Sequence, residues 1–175
     1  MADLTFNTTS GLTIARELVI AYLNTGTAQS PTWSPLGKRV EDSSEAYDWS
    51  EETSKDIIGN TFGTMKKPII TQDFDPGDLD AGDAALVKLW NLGVKDQDAQ
   101  ALMAQDMLIV HFYAGTAGTP FAERYSQCMI VPTGLGGEGG GNLGMPITVT
   151  YGGTRTTGTA AKDAQTGAIS FTADT

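Results

Sequence analysis

Met107-Leu108-Ile109-Val110-His111-Phe112-Tyr113 is the run that decides the fold. It is apolar on both faces of a pleat, the pattern of a central strand covered above and below. Downstream, Phe121–Val131 reads as a second strand. Ile147-Thr148-Val149-Thr150-Tyr151 alternates cleanly and closes on Gly152-Gly153, and Ile169-Ser170-Phe171 is a last short strand. Upstream, Leu86, Leu89, Trp90 and Gly93 recur at helical spacing and predict a helix over residues 80–93. Asp80 is its expected cap, with Asp83 near the positive end of the dipole. A further short helical turn is expected at Ala99–Met103. Before the helix, Lys66–Thr71 begins a strand, Trp33-Ser34-Pro35-Leu36-Gly37 reads as a turn with an aromatic anchor, and Leu18–Leu23 is a buried strand. Several strands, one helix and then more strands describe a mainly antiparallel β-protein with a packed helix.

Two stretches lack a core pattern of their own. Residues 1–15 are Thr-rich and aperiodic, an extended N-terminal arm; residues 16–175 then form the β domain. Within it, residues 41–66 form a long hairpin or ribbon. Glu41, Asp42, Glu45, Asp48, Glu51, Glu52 and Asp56 face Lys55 alone across residues 41–58, and Tyr47 and Trp49 sit two apart there. That is the pattern of a solvated two-stranded ribbon.

The chain has 175 residues, 40% hydrophobic and 18% charged, with 21 glycines, a composition that favours a turn-rich sheet protein. A net charge of −10 argues against gripping a phosphate backbone, although an acidic wall can line a passage through which DNA slides. The single cysteine, Cys128, excludes an intramolecular disulfide and reads as an inert buried thiol beside Met129, Ile130 and Val131. The N-terminus lacks a basic, apolar leader, and no run approaches the ~18 apolar residues of a membrane span, so a cytoplasmically made, soluble protein is expected.

Catalytic and metal readings fail on local chemistry. His111 is the sole histidine and lies mid-strand beside Ile109 and Tyr113, as a packed core or interface residue would. One His and one Cys cannot build an ordinary zinc site. The Asp73–Asp83 run places Asp78 where a calcium loop needs glycine and Ala84 where it needs glutamate; a turn leading into a helix N-terminus explains it better. Gly134-Leu135-Gly136-Gly137-Glu138-Gly139 matches a dinucleotide-loop spacing, but the Gly-rich stretch that follows, ending in Pro146, cannot open the required helix. The acids of residues 41–56 have no apolar pocket to split their pKa values. No catalytic, cofactor-binding or metal residue is therefore assigned.

Set together, these are an arm, an apolar strand, a Trp-x-Pro-Leu-Gly turn, the ribbon with Glu45-Ala46-Tyr47-Asp48-Trp49-Ser50-Glu51-Glu52-Thr53, a lone helix and a Gly/Thr-rich β half. The combination resembles the major tail proteins, or tail tube proteins, of long-tailed bacteriophages with non-contractile tails. Trp33–Trp49, Lys66–Trp90 and Met107–Tyr113 carry the likeness. The resemblance implies two packed antiparallel sheets, sandwich- or barrel-like, with one flanking helix. It implies hexameric rings whose inner sheets join into a barrel, and stacking of rings into a virion tail whose lumen passes genomic DNA without specific binding. The implied partners are copies of the chain itself and terminator, tape-measure and distal tail proteins; no enzyme activity, cofactor or membrane is implied. Some members of the family carry an added immunoglobulin-like domain, for which this chain leaves too little sequence after its last strand. A tail terminator, a head decoration protein and a ligand-binding β-domain presenting Trp33, Tyr47 and Trp49 are the alternatives.

Overall fold

In the structure, a computed structural model that describes residues 3–175, the apolar run lies within β7 (Gln105–Thr116). β7 pairs antiparallel with β1 (Val19–Asn24) on one side and with β8 (Thr119–Pro132) on the other. The absence of alternation in this strand has a simple cause. Met107 and Ile109 point into one apolar core, and Leu108 and Val110 into a second on the opposite face; none of the four has measurable exposure.

β8 is the pivot of the architecture. Its first half is paired by β7 and by β10 (Arg155–Lys162), and its second half pairs with β9 (Ile147–Tyr151). The sheet therefore divides at β8. One half runs outward through β7 and β1 to β2 (Trp33–Pro35), with β10 and β11 (Ile169–Ala173) on its other flank. The other half runs through β9 and β6 (Ile69–Phe74) to β3 (Glu45–Asp48). Every pairing is antiparallel. The two halves share the larger core: Leu23 and Ile109 from one, Ile70 and Val149 from the other, with Tyr125 and Tyr151 meeting ring to ring at 5.2 Å.

The helix closes this core. α1 (Ala84–Trp90) inserts Ala85, Leu86 and Leu89, continues as a π turn over Asn91–Lys95, and is followed by α2 (Ala99–Leu102). Its cap is Asp83, not the expected Asp80. Asp83 Oδ1 accepts the amide protons of Ala85 and Leu86 at 3.1 and 3.2 Å. Asp80 instead folds the preceding turn, accepting from the Gly82 amide at 2.9 Å, and pairs with Arg39 at 3.1 Å. Gly93 serves packing: a Cβ there would sit 2.7 Å from Pro132 Cγ.

Two further elements differ from the sequence expectation. Trp33 does not anchor a turn. It opens edge strand β2, buried in the second core with the Arg124 guanidinium over its ring at 5.7 Å. Arg155–Lys162, for which no strand was expected, is β10, wedged between β8 and β11. Its register depends on Gly158, where a Cβ would lie 2.1 Å from the Thr172 carbonyl oxygen. Gly158→Ala should cost about 1–3 kcal/mol through forced separation of β10 and β11. Urea denaturation checks this, and an unchanged midpoint would contradict the register.

The protruding segments complete the picture. Thr5–Asn7 of the arm lies along the end of β7, with the Asn7 amide donating to Tyr113 O and the Gly115 amide to Thr5 O, both at 2.9 Å. Met1 and Ala2 of the expected arm fall outside the described residues. β4 (Glu52–Lys55) and β5 (Thr61–Thr64) pair only with each other, and every residue in both is exposed. Within residues 41–66, then, Glu45–Asp48 joins the sheet beside β6, while residues 52–64 stand clear as a hairpin.

Candidate assembly surface

A chain this size can bury most of its large apolar side chains, so the ones left in water are informative. They concentrate in three segments. Leu4, Phe6, Leu12 and Ile14 line the arm; Ile57, Ile58, Phe62 and Met65 line the hairpin; Leu135 and Leu143 flank the glycine loop. At the hairpin tip Ile57 is 104% exposed and Ile58 79%, so these side chains touch almost nothing in their own chain. The nine-stranded sheet also leaves three borders uncovered among the described residues, at β2, β3 and β11.

The glycine loop is a local hairpin. Gly136 and Gly144 exchange amide–carbonyl bonds at 3.0 and 2.7 Å, which commits both amides to the chain itself. No helix begins there, so a phosphate cradle of the dinucleotide kind is not formed.

The aspartates of residues 73–83 are dispersed by their separate tasks. Asp73 accepts from Thr148 Oγ1 at 2.7 Å, Asp78 from Asn142 Nδ2 at 2.7 Å, Asp80 pairs with Arg39, and Asp83 caps α1. Among the described residues no group of three or more His, Cys, Asp or Glu side chains is placed to hold a metal ion. The aromatic trio does not form one platform either, since Trp33 is buried while Tyr47 and Trp49 are exposed. Tyr47 spends its hydroxyl on Glu45 at 2.7 Å.

His111 is held in a buried polar network that the sequence reading missed. Its Nε2 meets Glu123 Oε1 at 2.8 Å, while Tyr125 Oη and Arg155 Nε donate to Glu123 Oε2. Folding the chain about Gly115–Gly118 brings position 111 opposite 121 and position 109 opposite 123, so the diagonal His–Glu contact follows from the hairpin register. Burial alone would raise the Glu123 pKa. The hydrogen bonds from His111 and Arg155 and the Arg155 charge outweigh it, taking the group from 4.5 down to about 2. Because the folded value is depressed, the associated stability is complete above about pH 4.5 and is lost as pH falls toward 2. Thermal melts across that window should therefore fall steeply for the parent and much less for Glu123→Gln; superimposable profiles would refute the assignment. Cys128 is fully buried, and burial pushes its thiol up to about 12, the inert state expected of it.

These features build a molecule with two apolar cores and uncovered apolar surface on its projections. Comparison with solved structures bears on what kind of molecule that is. A chain of the PVC sheath/tube terminator in the extended state, from an extracellular contractile injection system, is similar at 13% identity with a TM-score of 0.50, over 85% of this chain and 99% of that one. The two chains share a fold. A chain of the PVC sheath–tube complex in the extended state is similar at 12% identity and TM-score 0.49, covering 86% of this chain and 94% of that one. A chain of the anti-feeding prophage cap, a tube-terminating cap, is similar at 15% identity and TM-score 0.47, covering 88% and 96%. No family model matches the sequence, and no curated protein matches it. At such identities the likeness is one of fold. It agrees with the expected mainly-β fold and flanking helix. The sheath/tube terminator belongs to a contractile injection system, whereas the sequence resemblance is to non-contractile tails, so the non-contractile assignment gains nothing from it.

Proposed function

We propose that this chain is a non-enzymatic structural subunit that associates head to tail into rings, and that the rings stack into the tube of a phage-tail-like particle. The observation that carries this reading is the hairpin and arm surface. A monomer gains nothing by holding Ile57, Ile58, Phe62 and Met65 in water, whereas a repeated neighbour covers them. Ring closure would likewise cover the borders at β2, β3 and β11. The fold shared with a sheath/tube terminator chain supports a tail-related structural role. With a net charge of −10, a tube of such subunits would repel phosphate and let DNA slide. Hexameric rings, a virion tail, genome passage, and contacts with terminator, tape-measure and distal tail proteins come from the sequence resemblance and are parts of the proposal.

A terminator is the second reading, favoured by the sheath/tube terminator similarity that spans 99% of that chain. Assembly separates the two: a tube subunit forms long hollow rods, and a terminator stops at single rings.

The hairpin gives the direct test. The Lys66 amide donates to Trp49 O at 2.9 Å, so the hairpin's two ends lie side by side. Residues 50–65 can thus be replaced by an Asn-Gly turn without opening the sheet. No buried side chain is lost in that deletion. The variant should stay folded and soluble, with circular dichroism and melting close to the parent, and form neither rods nor rings in electron micrographs. Tubes from the deleted chain would overturn the role given to the hairpin.

A further inference from the structure

We infer that on assembly the Thr5–Asn7 segment of one copy seats on β7 of a second copy, in the place that each copy's own arm takes within a single chain; the inference rests on the assembly reading above. The seat is visible because the chain's own arm fills it. Phe6 bridges antiparallel to Ala114, flanked by the bonds from the Asn7 amide to Tyr113 O and from the Gly115 amide to Thr5 O, both at 2.9 Å. Asn7 Nδ2 donates to Phe112 O at 3.1 Å, and the Phe6 and Tyr113 rings meet edge to face at 5.0 Å. The occupant of the seat is thus fixed by sequence; what the exchange changes is the copy that supplies it.

The arm and β1 lie in one lane beside β7. Asn7 stands opposite Tyr113 and Val19 opposite His111, so a single position, opposite Phe112, separates them. That gap is about 7 Å of strand, yet residues 8–18 leave the lane and return to it. Among the described residues, positions 8–14 of this excursion make one hydrogen bond, from the Leu12 amide to Thr9 O at 3.3 Å, and it stays inside the loop. Gly11, at φ +87°, makes the turn, and Leu12 and Ile14 are exposed. The body of the chain therefore does not hold the loop folded back; the seat alone does. Moving the arm to a second copy keeps every contact of the seat and releases the loop, which makes exchange of an identical element a low-cost route to association. Phe6 remains 63% exposed when seated, so a second copy lying against the seat covers it further. Extended, residues 8–15 reach about 25 Å, which bounds the separation between the point where one arm leaves its chain and the seat on the next. Arm and seat are different surfaces, so the contact is heterologous and propagates.

The test uses two variants of the full chain, Phe6→Cys and Ala114→Cys, mixed, assembled and mildly oxidised. The bonds on either side make 6 and 114 a non-hydrogen-bonded pair, whose Cα atoms lie about 4.5 Å apart, within the ~4.4–6.8 Å that a disulfide spans. Native Cys128 is buried and does not compete. Because each variant carries one of the two positions, a 6–114 disulfide forms only between copies. A Lys95→Cys partner, on the exposed end of the helical segment, is the control. The expected result, read by mass spectrometry, is a 6–114 link about tenfold or more above 6–95. Particles that assemble but link 6 to 114 no better than to 95 would overturn the exchange and leave assembly standing. Failure of the parent chain to assemble at any concentration would overturn both. A second variant leaves the seat untouched: Gly-Ser in place of residues 9–14 still closes the gap within one chain but shortens the reach to a neighbour. Its control is a full-length loop with Leu12→Ser and Ile14→Ser. The short loop should need a concentration about tenfold higher than that control to assemble; a short loop no worse than the control would overturn the exchange.

Discussion

Replacing Glu123 with alanine should cost about 3–5 kcal/mol of folding stability, among the largest losses available to any single polar residue here. The carboxylate side chain is 8% exposed and accepts hydrogen bonds from Tyr125, Arg155 and His111. Alanine leaves His111 and Tyr125 buried with no acceptor and strips Arg155 of its counter-charge, so desolvation costs appear that had been offset. Glu123→Gln should lose less, because the amide oxygen still accepts while its NH₂ faces a donor. Urea denaturation of dilute monomer is the measurement. A loss under about 1 kcal/mol for Glu123→Ala would mean that water or a rearranged side chain replaces the network.

Leu89→Ala should cost about 2–5 kcal/mol. Leu89 has no measurable exposure and belongs to the core shared by both sheet halves and α1. Removing its side chain opens a cavity beneath a helix of seven residues, which propensity alone would not hold. The loss should be larger than for Val87→Ala on the exposed face of the same helix, where packing contributes little. Equal effects at the two positions would mean that α1 is not held by its buried stripe.

What was legible in the sequence is what local pattern controls. β7 was readable because a strand between two cores has no polar face, and β9 because Val149 is buried while Thr148 and Thr150 are half-exposed. The stripe of Leu86 and Leu89 placed the helix, but two aspartates within four residues, Asp80 and Asp83, stood at its start. The position of the stripe over the core, a tertiary fact, selected Asp83. β10 was hidden because Arg155-Thr156-Thr157-Gly158-Thr159-Ala160 carries almost no apolar signal; it is a strand because Gly158 lets β11 approach. Pro35 disguised β2 as a turn, although proline is tolerated on an edge strand such as this one. The arm, the hairpin and the glycine loop were visible as segments without a core pattern of their own. Their isoleucines and leucines became meaningful only once the fold showed them exposed among the described residues. The Glu123 network was within reach through the β7–β8 register, but its Arg155 arm comes from the strand that sequence pattern concealed.

The most direct test of the central claim is cryo-electron microscopy of the purified, concentrated full chain. Hollow tubes or rings built from this one subunit, with the Ile57–Ile58 tip buried between copies, are expected. Monomers at every concentration, with that tip still in solvent, would contradict it.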